Sequence, residues 1–211
     1  MKLKSTACRS AAFSLMELMI VMALIAALAA IAAPAAHRAM MSYQLNLGTE
    51  TFAGTLSFAR QAATTMNRDV EVRLLTVDAS AEMPGVKRVR GIQLFDVGET
   101  AIKAIAMPRY LPAGIIMNTN ASFSSLASLP DETPSTSDPN LQKYGKNYTF
   151  RRFRFRPDGS SNLPMVVPGP VPATFFMSLH LDVPGSDTTL PSNFTTIQIE
   201  PSTGAVGVHR P

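Results

Sequence analysis

Glu17 is a carboxylate in an unusual place. The stretch from Phe13 to Ala36 is otherwise apolar apart from Ser14, and Leu18 to Ala36 is 19 residues without a charge. An ionised group in such a segment costs roughly 2.5–3.5 kcal/mol on membrane-insertion scales, so it is normally paired or functional. The chemistry it offers is charge pairing with a nearby cation. A second chemically capable run is Phe150-Arg151-Arg152-Phe153-Arg154-Phe155-Arg156. Its alternation puts Phe153 and Phe155 on one strand face and Arg152, Arg154 and Arg156 on the other. An exposed arginine ladder grips phosphates, with Lys87, Arg88 and Arg90 as a second patch. The plainer reading, which we prefer, puts the phenylalanines in a core and pairs the arginines with Asp or Glu. His37, His180 and His209 have no cysteine nearby and no His-x-x-x-His spacing, so they build no metal or acid–base constellation. No phosphate-cradling glycine loop and no nucleophile elbow is present. The expectation is no catalytic residues, no metal, no cofactor and no enzyme.

The element that must position Glu17 is a helix. Leu18–Ala36 would be ~28 Å long as a helix, close to the hydrocarbon thickness of a bilayer. Upstream lies a short basic leader, Met1 to Ala12, with Lys2, Lys4 and Arg9. A secretory signal peptide has a similar outline, but its apolar region is shorter and lacks an acid near its start. A plain membrane anchor would have no use for Glu17. A lipoprotein box at Ser5-Thr6-Ala7-Cys8 fails, because no apolar run precedes Cys8.

This arrangement resembles the N-terminus of type IV pilins and of the pseudopilins of type II secretion. There, a basic leader ends at a small residue and the helix opens with Phe, Thr or Ser, Leu, an aliphatic residue and Glu. Phe13-Ser14-Leu15-Met16-Glu17 matches in register, and Pro34 falls on the proline often found at the twenty-second mature position. Ala12 stands where the family usually has Gly. The resemblance implies cleavage between Ala12 and Phe13 by a prepilin peptidase, methylation of the new N-terminus, and assembly roles for Phe13, Glu17 and Pro34. Cleavage would remove three of the 19 cationic side chains, leaving 16 against 15 acids, and with them Cys8, the single cysteine. Overall basicity then says little about partners, and the mature chain would have no disulfide.

Beyond Pro34 the pattern becomes one-sided. Met41, Leu45, Gly48, Phe52, Leu56, Ala59, Ala63 and Met66 recur at spacings of three and four, one apolar helix face. We read one helix from about Phe13 to Asn67, ~80 Å long if continuous, with a kink at Pro34. At Asp69-Val70-Glu71-Val72-Arg73-Leu74 the period switches to two, as in a half-covered strand. Further strands are expected at 86–95, 102–107, 148–156, 174–182, 195–200 and 205–209, with a tight turn at Pro201-Ser202-Thr203-Gly204. Residues 119–140, rich in Ser, Thr, Pro and Asn, read as an exposed loop. One helix followed by successive strands indicates α+β architecture, a long helix packed on antiparallel sheet.

The helix end around Leu56–Ala62 and Asn67, the turn Phe155-Arg156-Pro157-Asp158-Gly159 and the late strand pair joined through Gly204 are similar to H-class minor pseudopilins and fimbrial T-type minor pilins. The expected domains are a leader (1–12), a transmembrane half-helix (13–36), an amphipathic half-helix (37–67) and a β-rich domain (68–211). The resemblance implies a structural subunit of a secretion pseudopilus or type IV pilus. Before assembly it would cross the bacterial inner membrane once, with the C-terminal domain in the periplasm. The implied partners are other pilin or pseudopilin subunits, the prepilin peptidase, an inner-membrane assembly platform and the lipid bilayer. The alternatives are a minor pilin that binds DNA or a surface through Arg152, Arg154 and Arg156, with nucleic acid the lesser partner, and an anchored exported domain that never assembles.

Overall fold

A computed structural model describes residues 14–80, 83–98, 102–164 and 174–211. The leader and the Ala12–Phe13 junction lie outside them. The chain divides into two compact units, with the change between Met40 and Met41.

Helix α1 runs Leu15–Met66 and passes through Pro34 as one element. Ser14 caps its start, its Oγ accepting the amide of Met16 at 3.3 Å. That satisfies one of the amides a helix start leaves unpaired. Its end has an equally local cause. Asn67 adopts a left-handed backbone at φ 50°, and the Arg68 amide reaches back to the Ala63 carbonyl at 3.2 Å. This is a Schellman closure, with Asn in the place glycine usually takes.

In the second unit α1 buries Leu45, Gly48, Thr49, Phe52, Leu56, Ala59, Ala62 and Ala63. The expected stripe is therefore present from Leu45 to Ala63. Met66 departs from it and is exposed, since the chain turns away at Asn67. Thr49 joins the buried face because its hydroxyl is satisfied within the helix, donating to the Leu45 carbonyl at 2.8 Å.

The stripe packs on an antiparallel sheet. Its strands are β1 (Val70–Ser80), β2 (Met83–Val97), β3 (Ile102–Ala104), β4 (Arg109–Tyr110), β5 (Ile115–Met117), β6 (Thr149–Phe155), β7 (Phe175–Leu181), β8 (Phe194–Ile199) and β9 (Val206–His209). The order is β6-β1-β2-β5-β7-β8-β9, with β3 and β4 also on β2. Val72, Leu74, Ile92, Leu94, Phe153 and Ile197 meet Phe52 and Leu56 in the main core. The two halves of the sheet join at Val89 and Met117. No strand was expected at β5. Its three buried residues are too few to show a period, and Pro112 and Gly114 before them read as punctuation.

Two expectations about exposure are corrected. The outer face of β1 is not open to water: Glu71 and Arg73 are buried, and a second cluster of Leu75, Val77, Leu141, Tyr148 and Phe150 lies on their side of the sheet. Residues 119–140 are not simply an exposed loop either. They hold a short 3-10 turn at Ser125–Ser128 and bury Ser124 and Leu126. The hydroxyls of Ser124 and Ser125 accept the amides of Ser178 and Phe176, at 2.9 and 2.8 Å. Two serines thus satisfy donors of β7 that would otherwise need a neighbouring strand.

Two glycine turns meet at one end of the sheet. Gly159 has φ 85° and Gly204 has φ 62°. A Cβ on Gly204 would lie 2.1 Å from the Gly159 carbonyl oxygen. Gly204→Ala therefore combines a left-handed penalty of about 1–2 kcal/mol with a forced backbone shift, roughly 2–4 kcal/mol in all. Gly185 shares the positive φ, at 82°, but nothing lies within 4 Å of its added Cβ. Gly185→Ala should show only the smaller penalty. Denaturation midpoints of the two variants test this, and equal losses would disprove the contact.

Candidate functional site

Within the first unit, every described residue from Ser14 to Met40 is exposed. Among the described residues, one helix is long and apolar enough to cross a membrane, and it begins at Leu15. Glu17 lies in its first turn, three residues after the capping Ser14. That Ser-x-x-Glu spacing is a capping-box pattern. An acid there also complements the helix dipole by roughly 0.3–1 kcal/mol. Among the described residues Glu17 has no ion-pair partner. Its expected partner, the amine of a processed Phe13, and the processing residue Ala12 lie outside the described residues. Pro34 sits within the helix, in its exposed apolar part.

In the second unit, β6 alternates as the sequence implies. Phe153 and Phe155 are buried in the core, their rings edge to face at 5.6 Å, while Arg152 and Arg154 lie on the other face of the sheet. Acids interleave that face. Glu71, directly across from Arg154 on β1, is fully buried and lies 3.0 Å from Arg154 Nη2, 3.6 Å from Arg152 Nη1 and 2.7 Å from Arg73 Nε. Arg152 also pairs with Glu132 at 2.8 Å, and Arg151 with Asp131 at 3.7 Å. Arg156 is exposed. In the second basic patch, Arg88 pairs with Asp182 and Asp187, Arg90 donates to the carbonyls of Leu111 and Pro112, and Lys87 is exposed.

Sequence reasoning missed the centre of this arrangement, Arg73. Its guanidinium is stacked between the rings of Phe95 and Phe150, 4.2 and 4.3 Å from their centroids, and bonds Asp138 as well as Glu71. Desolvation alone would raise the Asp138 carboxyl. Hydrogen bonds from Arg73 and Ser135 outweigh it and hold the group below the usual carboxylate range. Asp138 thereby fastens the segment before β6 over the sheet. Lys146 closes the same segment by donating to the carbonyls of Ser135 and Asp138. The only signal in sequence was an acid in a hydroxyl-rich loop, which by itself reads as solvated.

Residues 8–33 match the model of the prokaryotic N-terminal methylation motif. That motif covers the leader end, Phe13, Glu17 and the opening of the exposed apolar helix. Over this segment the chain is similar to proteins that carry that motif. Among solved structures, it is similar to the minor pseudopilin EpsH from the type 2 secretion system of Vibrio cholerae. The identity is 11%, covering 80% of this chain and 98% of that one, with a TM-score of 0.44. It is also similar to the type IV minor pilin FimU of Pseudomonas aeruginosa, at 10% identity over 79% of this chain and 97% of that one, again with a TM-score of 0.44. No curated protein matches.

The histidines of this chain are scattered. His37 and His209 are exposed, and His180 is fully buried in β7. Among the described residues, no group of three His, Cys, Asp or Glu is placed to hold a metal ion.

Proposed function

We propose that this chain is a minor pilin or pseudopilin, a structural subunit rather than a catalyst. In this reading residues 13–36 hold it in the inner membrane, residues 37–67 continue as the amphipathic half-helix, and residues 68–211 form the periplasmic domain. A prepilin peptidase cuts between Ala12 and Phe13, an assembly platform extracts the subunit, and it joins other subunits in a secretion pseudopilus or a type IV pilus. The observation that carries the reading is the methylation motif over residues 8–33, laid on an apolar helix exposed from Leu15 to Ala36. Such a face needs lipid before assembly and neighbouring helices after it. Glu71 and Glu132, set among Arg152 and Arg154, support a structural role for that strand over a phosphate-binding one.

Intact-mass analysis of membrane-extracted protein, beside the sheared-filament fraction, tests the proposal. The expected mass is that of Phe13–Pro211 plus one methyl group, and the chain should occur in filaments. Retention of Met1, or a cut near Ala30 or Ala36, would overturn the processing step. Correct cleavage with absence from filaments would point to the anchored domain that does not assemble.

A further inference from the structure

We propose that His180 is the bolt of an acid-operated latch that holds the β7–β8 connection, residues 183–191, against the sheet. His180 is fully buried on β7. Its Nδ1 lies 2.7 Å from the Leu181 carbonyl, which only accepts, so Nδ1 carries the proton and donates. Nε2 is therefore bare, and it accepts from Asn118 Nδ2 at 3.1 Å.

Asn118 is itself fully buried and locked in one orientation. Its Oδ1 accepts the Asn120 amide at 2.8 Å, and its Nδ2 also donates to the Ser186 carbonyl at 2.8 Å. Asn120 in turn donates from Nδ2 to the Asp187 carbonyl at 3.1 Å. Two asparagines after β5 thus grip two consecutive carbonyls of the β7–β8 connection, and the grip requires a neutral His180.

Protonation places an N–H on Nε2, facing the amino group of Asn118. Turning the Asn118 amide would relieve that clash with His180. It would also set Oδ1 against the Ser186 carbonyl and the amino group against the Asn120 amide, so both other bonds are lost. No orientation of Asn118 satisfies a charged His180 and keeps the connection closed.

The charged groups around the site act in both senses. Asp182 at the end of β7 and Asp187 in the connection attract an imidazolium, while Arg88 from β2 opposes it and pairs with both acids, at 3.3 and 3.7 Å. A charged His180 competes with Arg88 for Asp182 and Asp187, which loosens the last tie of the connection. In the closed state burial holds His180 below its ordinary value, and the hydrogen bond to the Leu181 carbonyl and the attraction of Asp187 and Asp182 only partly offset this. The sign follows: the closed form is favoured above the ordinary histidine value of about 6.5 and loses its advantage as pH falls towards the lower closed-state value. Between those limits the opening constant rises by up to about tenfold per pH unit.

Amide hydrogen exchange on the detergent-solubilised full chain, corrected for the intrinsic pH effect, tests the latch. Protection of the Asn120 and Ser186 amides should fall with acidification below about 6.5, by up to about tenfold per pH unit, while Val72 and Leu74 in β1 stay protected. His180→Gln can still donate to Leu181 and accept from Asn118 but cannot charge, so its protection should be flat with pH. Asp187→Asn removes one of the two carboxylates that face His180 and should keep the response. Unchanged wild-type protection, or an equal response in His180→Gln, would overturn the latch. Should His180→Gln misfold, the wild type decides alone. The His180 ring titration and the resonances of residues 183–191 must then share one midpoint by NMR, and separate midpoints would overturn the latch.

Discussion

Replacing Glu71 with alanine should destabilise the Met41–Pro211 unit by about 3–5 kcal/mol, the cost of stranding buried charge. Glu71 is fully buried, and three arginines converge on it. Arg73 cannot swing into water when its partner is lost, because the rings of Phe95 and Phe150 hold its guanidinium on both sides. It would keep only Asp138, while Arg154 would keep neither of its bonds to the Glu71 carboxylate. Glu71→Gln preserves shape and one acceptor but not charge, and should fall between alanine and wild type. Arg152→Ala removes a side chain 39% exposed, for which an ion pair is worth at most about 1 kcal/mol. Denaturant unfolding of the three variants should therefore rank Glu71→Ala well ahead of Glu71→Gln, with Arg152→Ala last. A loss below about 1 kcal/mol for Glu71→Ala would mean that the arginines reach water unaided.

The same cluster shows where sequence reading succeeds and where it stops. Leu45, Phe52, Leu56, Ala59 and Ala63 could be assigned to one buried face because helix geometry is local and their spacing repeats it. The stop at Asn67 and the turn at Gly204 are equally local, set by residues that tolerate left-handed backbone. Alternation in β1 correctly separated Val70, Val72 and Leu74 from Glu71 and Arg73. It could not show what covers the second face, since that cover comes from Asp138 and Phe150, far along the chain. Long-range burial leaves no periodic trace in the strand it covers. Ser124 and Ser125 make the same point in reverse: hydroxyls that read as solvated supply acceptors for β7. For the candidate site, the position and unusual setting of Glu17 were legible, because a charge in an apolar run is visible without a fold. The partner expected for it, the amine of a processed Phe13, lies outside the described residues, so that pairing stays a proposal.

Glu17→Ala should leave membrane insertion and cleavage intact and lower incorporation into sheared filaments by at least about tenfold. The tenfold figure corresponds to about 1.4 kcal/mol, well below the cost of leaving a desolvated charge without its partner. After cleavage Phe13 would carry a cationic amine four residues before Glu17, within reach across one helical turn. In a filament the Glu17 of one subunit can instead neutralise the Phe13 amine of its neighbour, which sets the axial register as the apolar helices pack. Only the second contact makes assembly depend on Glu17. The structure adds a competing local role, since Glu17 also sits in the first turn behind the capping Ser14. Glu17→Gln separates the two, because glutamine retains the capping-box geometry but cannot pair with an amine as a charge. A register role predicts that Gln and Ala variants fail alike, whereas a capping role predicts that Gln assembles as wild type. An incidental acid that snorkels to the headgroups predicts normal incorporation of both. Comparing filament content of the two variants with wild type at equal membrane levels distinguishes all three. Normal incorporation of Glu17→Gln would remove the pairing role, because the charge is the one property that glutamine lacks.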